Sequence, residues 1–252
     1  METSTLPVIP LPNGLSLALR SSQQAGCTKY IIKEIFQNQT YRRPGFELKP
    51  TDTVVDIGGN VGVFALWAAG QVRRVVSVEP TSAIDCLAQS LELNGILNVS
   101  IVRSAVSDKA GILKLLQYPG FSGVSHAAAF KPAKWGQRLI KFFWAKDHEK
   151  PIRISCPCVT LEEVLRQSGI EHVDFLKVDC EGGEYAIFDS ISDETLARIS
   201  RIALEFHEIH ASHDHRRIVE RLKSSGFEVS VERTLQDRYL LQAGMLWAIR
   251  RE

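Results

Sequence analysis

The chain has 252 residues, of which 44% are hydrophobic and 23% charged. That balance excludes a wholly disordered protein and suffices for one sizeable α/β domain with an insertion, or for two small domains. The 30 basic side chains nearly cancel the 29 acidic ones, for a formal net charge of +1, so no global field draws in nucleic acid and any electrostatic preference must be local.

Five cysteines (Cys27, Cys86, Cys156, Cys158 and Cys180) are too few and too scattered for a disulfide framework. Cys156-Pro157-Cys158 lacks the second ligand pair of a structural zinc site. Reduced thiols in a cytoplasmic protein are the expectation. Met1-Glu2-Thr3-Ser4-Thr5 shows no secretory pattern, and no stretch reaches the roughly 18 apolar residues of a spanning helix.

Two proline-bearing patches, Pro7 to Pro12 and Pro44 to Pro50, flank a predicted helix from Thr28 to Gln37. That helix sets Tyr30, Ile31, Ile35 and Glu34 near one face. Residues 1–50 thus read as an N-terminal cap or helical extension, ahead of a domain spanning 51–252. From Thr53 strands and helices alternate. Thr53–Ile57 reads as a buried strand, and Val61–Ala69 as a helix closed by Gly70. Val75–Val78 is a second strand, and Ser82–Leu93 a helix stopped by Asn94-Gly95. Val99–Arg103 is a third strand, with a short extra one at Ala110–Leu116 after the turn Ser107-Asp108-Lys109.

Residues 117–151 interrupt the alternation as an insertion. It resumes with strand Ile152–Val159, helix Leu161–Gln167, strand Val173–Val178 and helix Glu184–Ser190. Strand Ile202–Phe206 and helix Asp214–Ser224 follow. A terminal pair, Phe227–Glu232 and Gly244–Ile249, with a turn at Gln236-Asp237, fits an antiparallel edge. The whole predicts an α/β, doubly wound, mostly parallel sheet with helices on both faces.

In such a sheet, ligands bind outside the carboxyl ends of the strands, where the first strand feeds its helix. That junction reads Asp56-Ile57-Gly58-Gly59-Asn60-Val61-Gly62. Glycines let the backbone turn tightly and a ligand approach, and helix N-terminal N–H groups face it. A dinucleotide site wants G-x-G-x-x-G, but Asn60 and Val63 stand where the second and third glycines belong. Asp56 would also repel a pyrophosphate. S-adenosylmethionine carries a sulfonium and an ammonium and no phosphate, so a carboxylate suits it. Glu79, ending the second strand before Pro80, can accept hydrogen bonds from both ribose hydroxyls of either ligand.

The chain resembles the FkbM family of methyltransferases. The matching segments are Val55 to Gly62, Val78-Glu79-Pro80, Leu93-Asn94-Gly95, Ala105-Val106-Ser107-Asp108, Phe175 to Gly182 and Leu204-Glu205-Phe206-His207, in order from about Val54 to Glu208. Cys180 and Gly183 stand where the family usually has Val and Ala, beside the expected active site. The resemblance implies a class I methyltransferase fold, with a mostly parallel seven-stranded sheet and an antiparallel edge strand. It places the donor's sulfonium near Asp56, its ribose on Glu79 and its adenine against Arg103-Ser104-Ala105. Gly58, Gly59, Asn60, Val61, Pro80 and Asp179 complete the expected donor site. Asp56→Ala or Glu79→Ala is expected to weaken donor binding without unfolding the chain. The implied acceptor is a hydroxyl on a sugar or other small molecule, from a natural-product or glycan pathway.

A hydroxyl is a poor nucleophile until a base takes its proton or a metal lowers its pKa. The strands ending near 178 and 206 supply Asp179, Glu181, Glu205, His207 and Glu208. In one route His207 is the general base, oriented by a neighbouring carboxylate. In the other, Asp179 and Glu205 hold a Mg²⁺. Plainer roles stand beside these: Asp179 as a helix N-cap, and Glu205 and His207 as structural hydrogen-bonding groups. His207, His210, His213 and His215 read as loop or helix-surface histidines before a transition-metal site. Lys177, on an apolar strand, is expected to pair with Asp179.

Within the insertion, Trp135, Leu139, Phe142 and Phe143 share one helical face, with Lys134, Arg138 and Lys141 on the other. This suggests a lid, with membrane contact an open alternative. Association into a homo-oligomer also stays open. The rivals to O-methylation are N-methylation of an amine, an NAD(P)-binding oxidoreductase, and a non-catalytic S-adenosylmethionine-binding module.

Overall fold

The computed structural model describes residues 7–21, 24–118, 121–127, 152–233 and 242–251. A short antiparallel hairpin, β1 (Val8–Pro10) with β2 (Ser16–Ala18), opens the chain. Helix α1 (Ala25–Ile32) then runs into a π-helical turn over Lys33–Gln37. The predicted helix is thus present, with its last turn widened; such turns commonly mark functional positions.

The main sheet is built from β3 (Thr53–Ile57), β4 (Arg74–Val78), β5 (Val99–Val102), β10 (Phe175–Val178), β11 (Arg201–His207), β12 (Phe227–Glu232) and β13 (Ala243–Arg250). Their order is β12-β13-β11-β10-β3-β4-β5. β3, β4, β5, β10 and β11 pair in parallel, while β13 runs antiparallel between β11 and β12. The antiparallel strand is therefore one position in from the edge, and β12 is the edge. Strand order reverses beside β3, which places the expected crevice at its carboxyl end.

Helix α2 (Val63–Ala69) starts two residues later than predicted, because Asn60 and Gly62 adopt left-handed φ values of 50° and 94°. Helix α3 (Ile84–Asn94) ends, as expected, on a left-handed Gly95. A second sheet, ordered β6-β9-β7-β8, joins β6 (Ala105–Val106), β7 (Gly111–Tyr118), β8 (Phe121–Ala127) and β9 (Ile152–Val159). Part of the expected insertion is therefore strand. Its basic aromatic segment, 130–150, lies outside the described residues. The remaining helices are α4 (Leu161–Gln167), α5 (Glu184–Ser190), α6 (Asp193–Ala197) and α7 (His215–Ser224). Asp214 caps α7, its side chain accepting from the N–H of Arg216.

Alternating strand residues divide the core between the two faces of the main sheet. Val54, Val75 and Phe175 join one cluster with α2, α3 and the N-terminal residues Leu17, Leu19, Ile35 and Tyr41. Val55, Val76 and Leu176 join the other, with residues of α4, α5 and α7. All seven residues of α2 are buried. A helix apolar all round needs cover on its outer side as well. The N-terminal segment lies in its cluster, and Asn13 donates its amide to the carbonyl of Leu66.

Candidate active site

The loop after β3 is shaped by its neighbours. At Gly58, with φ at 79°, a Cβ would lie 1.7 Å from the carbonyl oxygen of Asp179. At Gly59 it would lie 2.0 Å from Ser77 Oγ. These glycines let three strand ends converge. The N–H groups of Gly58 and Gly59 both donate to the carbonyl of Val78, that of Gly62 donates to Gly59, and that of Asn60 donates to Glu79. Those four amides of the turn are thus consumed within the protein. A turn that spends these amides internally has fewer left for a phosphate.

What the loop offers instead is acceptors. Asn60 Oδ1 is buried and unpartnered. Glu79, nearly buried at the end of β4, takes the N–H of Asn60 on one oxygen and that of Thr81 on the other. Each oxygen keeps a further lone pair for a hydroxyl. Burial raises the Glu79 pKa, against the lowering pull of its bonds from Thr81 and Asn60. This set fits a cationic, hydroxyl-bearing ligand such as S-adenosylmethionine. Val61 is buried and Pro80 half-buried beside it. Ser104 and Ala105 are also buried, with the Ser104 hydroxyl turned to the carbonyls of Ala105 and Pro157.

Asp56 sits where the sequence places it, but its carboxylate is sealed beneath the loop. Ser77 Oγ donates to one oxygen at 2.8 Å, and Lys177 Nζ lies 3.1 Å from the other. Lys177 also donates to the carbonyl of Gly58 at 2.7 Å and stands 3.8 Å from Asp179. The expected Lys177–Asp179 pair exists, then, but Asp56 is the closer partner. Burial pulls the Lys177 pKa down, and these two carboxylates more than restore it.

At the ends of β10 and β11, Asp179, Glu205 and His207 offer ligand atoms within 4.8 Å of one another. His207 Nδ1 is 3.0 Å from Glu184 Oε1, which also accepts the N–H of Cys180 at 3.1 Å. A carboxylate only accepts, so the imidazole donates from Nδ1. Its Nε2 then faces Glu181 and Glu205, each at 3.8 Å. Burial lowers the His207 pKa, but Glu181, Glu184 and Glu205 together lift it well above its ordinary value. Burial pushes Glu181 to about 7 and Glu205 to about 8, with Asp179 adding repulsion to both and His207 opposing it. Water screens part of this repulsion, because the two side chains are 27% and 33% exposed.

Asp179 is not a helix N-cap: Gly183 holds that position for α5, without a side-chain cap. Glu208 stands apart from the acidic cluster, held by His215 at 2.7 Å and Arg233 at 2.7 Å. The other histidines are packed and bonded. His213 is buried, stacked on Tyr185 at 4.2 Å, with Nδ1 3.2 Å from the carbonyl of His207. His215 stacks on Phe206 at 4.6 Å, and His210 bonds Ser212. His213 is thus a core residue, where the sequence suggested a surface one. Glu184, which holds His207 Nδ1, and Tyr41, whose hydroxyl lies 3.4 Å from Asp179 Oδ2, are residues beside these groups that the sequence reading missed. Glu184, four residues after Cys180, carries the spacing of a first-turn acid; nothing local marks Tyr41.

The reversal of strand order beside β3, the acceptor-rich loop and the acid ending β4 define a class I methyltransferase. The model of the methyltransferase FkbM domain matches residues 56–229, and the chain belongs to this family of S-adenosylmethionine-dependent methyltransferases. The 31-O-demethyl-FK506 methyltransferase FkbM of Streptomyces tacrolimicus is 27% identical over 244 residues, which cover 91% of this chain and 92% of that protein. The AMB antimetabolite synthetase AmbE of Pseudomonas aeruginosa is also 27% identical, over 250 residues covering 88% of this chain. The chain spans only 12% of that synthetase. A crystal structure of methyltransferase FkbM from Methylobacillus flagellatus KT shares the fold, with a TM-score of 0.52 at 12% identity. The match covers 91% of this chain and 56% of that one.

Proposed function

We propose that this methyltransferase acts on a hydroxyl group of a small molecule, with His207 as general base. The observation that carries this reading is the orientation of His207. The fully buried Glu184 fixes Nδ1, so Nε2 is the nitrogen turned to the cluster that would receive the acceptor. The name of the FK506 relative, an O-methyltransferase in a natural-product setting, supports the same class.

In this reading Glu79 and Asn60 hold the donor's hydroxyls and ammonium, while Asp179 is the carboxylate that faces its cationic end. Asp179 is 29% exposed beside the loop, whereas Asp56 is wholly enclosed. When bound, S-adenosylmethionine would supply the methyl group, its sulfonium sulfur leaving as a neutral thioether that needs no protein acid. His207 takes the acceptor proton at Nε2, and Glu184 stabilises the resulting imidazolium. Because its pKa is raised, His207 becomes a competent base only above the ordinary histidine range. Turnover should therefore rise with pH beyond neutrality, and a rate that falls across that limb would contradict the assignment. N-methylation needs no such base, so a broad acceptor screen with labelled donor, scored for hydroxyl against amine products, tests the reaction class. His207→Ala should lower turnover about 100-fold or more.

A second reading gives Mg²⁺ to Asp179 and Glu205, as their proximity allows. Lys177, 3.8 Å from Asp179, already places positive charge there and weighs against it. Full activity after rigorous chelation would leave proton transfer as the route; loss restored by Mg²⁺ would reverse the preference.

A further inference from the structure

Tyr41 belongs to the segment before β3, outside the residues 56–229 that the family model covers. It is buried, yet its hydroxyl lies 3.4 Å from Asp179 Oδ2, across 138 residues of sequence. The ring is held on two sides. Phe64 of α2 meets it edge-on at 5.1 Å, and Lys177 Nζ lies 5.8 Å from its centroid. The Tyr41 hydroxyl and the Lys177 ammonium approach the same oxygen of Asp179. The Asp179 side chain is nonetheless 29% exposed.

We propose that Tyr41 is a positioning residue of the methyltransferase site, a hydroxyl donor that fixes the Asp179 carboxylate toward the cationic end of the donor. The N-terminal segment is thereby part of the active site and not only cover for α2. The inference rests on the reading of Asp179 as the donor-facing carboxylate. Independent support comes from the state of the phenol. Burial, and then the charges of Asp179, Glu205, Asp56 and Glu34, raise its pKa well above 10, so it stays a donor at any working pH. At 3.4 Å the bond is long, so its effect should be modest.

The test needs no acceptor. S-adenosylmethionine and S-adenosylhomocysteine differ at sulfur, cationic in one and neutral in the other. The ratio of their affinities therefore reports how well the site's carboxylates meet that charge. A purely structural tyrosine would weaken both ligands alike. Calorimetry with both ligands is run on wild type, Tyr41→Phe, Asp179→Asn and the double variant. Tyr41→Phe keeps the ring and its contacts, so the fold is retained.

The expected result is a ratio shifted about 3- to 10-fold against the methionine form by Tyr41→Phe. In the Asp179→Asn background the same substitution should shift it less than about twofold. An unchanged ratio in Tyr41→Phe, with Asp179→Asn altered, overturns the role of Tyr41 alone. Equal shifts in both backgrounds show that Tyr41 does not act through Asp179, and also overturn it. If Asp179→Asn itself leaves the ratio at the wild-type value, the donor-facing assignment fails and the inference falls with it.

Discussion

At the scale of single residues, the site depends on how closely backbone and charge are fitted beneath the loop. Gly58→Ala would drive a methyl group into the Asp179 carbonyl and strain a left-handed φ of 79°. It should cost roughly 1–3 kcal/mol or more and displace Asp179. Chemical unfolding reads the first effect, and a calorimetric loss of donor affinity the second. Asp56 carries a different lesson. The sequence suggested that Asp56→Ala would spare the fold, yet this side chain neutralises a buried lysine. Its removal leaves Lys177 with Asp179 and the carbonyls of Gly58 and Ile57, and should destabilise the protein by about 3 kcal/mol. A variant as stable as wild type would mean that those remaining partners suffice.

At the scale of elements, α2 links the donor loop to the N-terminal segment. Phe64 touches Tyr41, Trp67 and Phe175, so it packs against both the sheet and the cover. Phe64→Ala should cost about 3–5 kcal/mol in unfolding experiments. The elements themselves were legible because their signals are local: apolar strands, helix stops at Gly70 and Gly95, and a loop whose residue types disfavour a pyrophosphate. Glu79 and Asp179 directly follow strands that the pattern marks, so their positions were legible, whereas the enclosure of Asp56, the penultimate residue of β3, was not.

What the sequence hid lies at longer range. No periodicity announces that β7 and β9 leave the main sheet to pair with each other. Tyr41 meets Asp179 only because α1 and the turn after it pack against α2. Whether Asp56 points outward or into a lysine depends on the neighbouring strand, which a motif does not encode.

At the scale of the whole molecule, the crowd of acids makes stability depend on pH. Glu181, Glu205 and His207 all bind protons more tightly in the folded protein than when unfolded. Their contribution is therefore complete below the unfolded carboxylate pKa for the acids and below about 6.5 for His207. It is lost as pH rises through the folded values, about 7 and 8 for the two acids. The melting temperature of the ligand-free protein should accordingly decline from about pH 5 to above pH 8. Glu205→Gln should flatten part of that decline; a melting temperature that climbs through the window contradicts the described electrostatics.

The donor loop's internal bookkeeping has a last consequence. With the amides of Gly58, Gly59, Asn60 and Gly62 already bonded to Val78, Glu79 and Gly59, the turn has less to give an anion. ATP and other nucleotides present the same adenosine in far larger supply in most cells, and they compete for any pocket that reads adenosine alone. Here they would bring phosphates to carboxylates and carbonyl-facing amides. The enzyme should keep working in their presence, not by recognising the nucleotide and rejecting it, but by offering its charge little to hold.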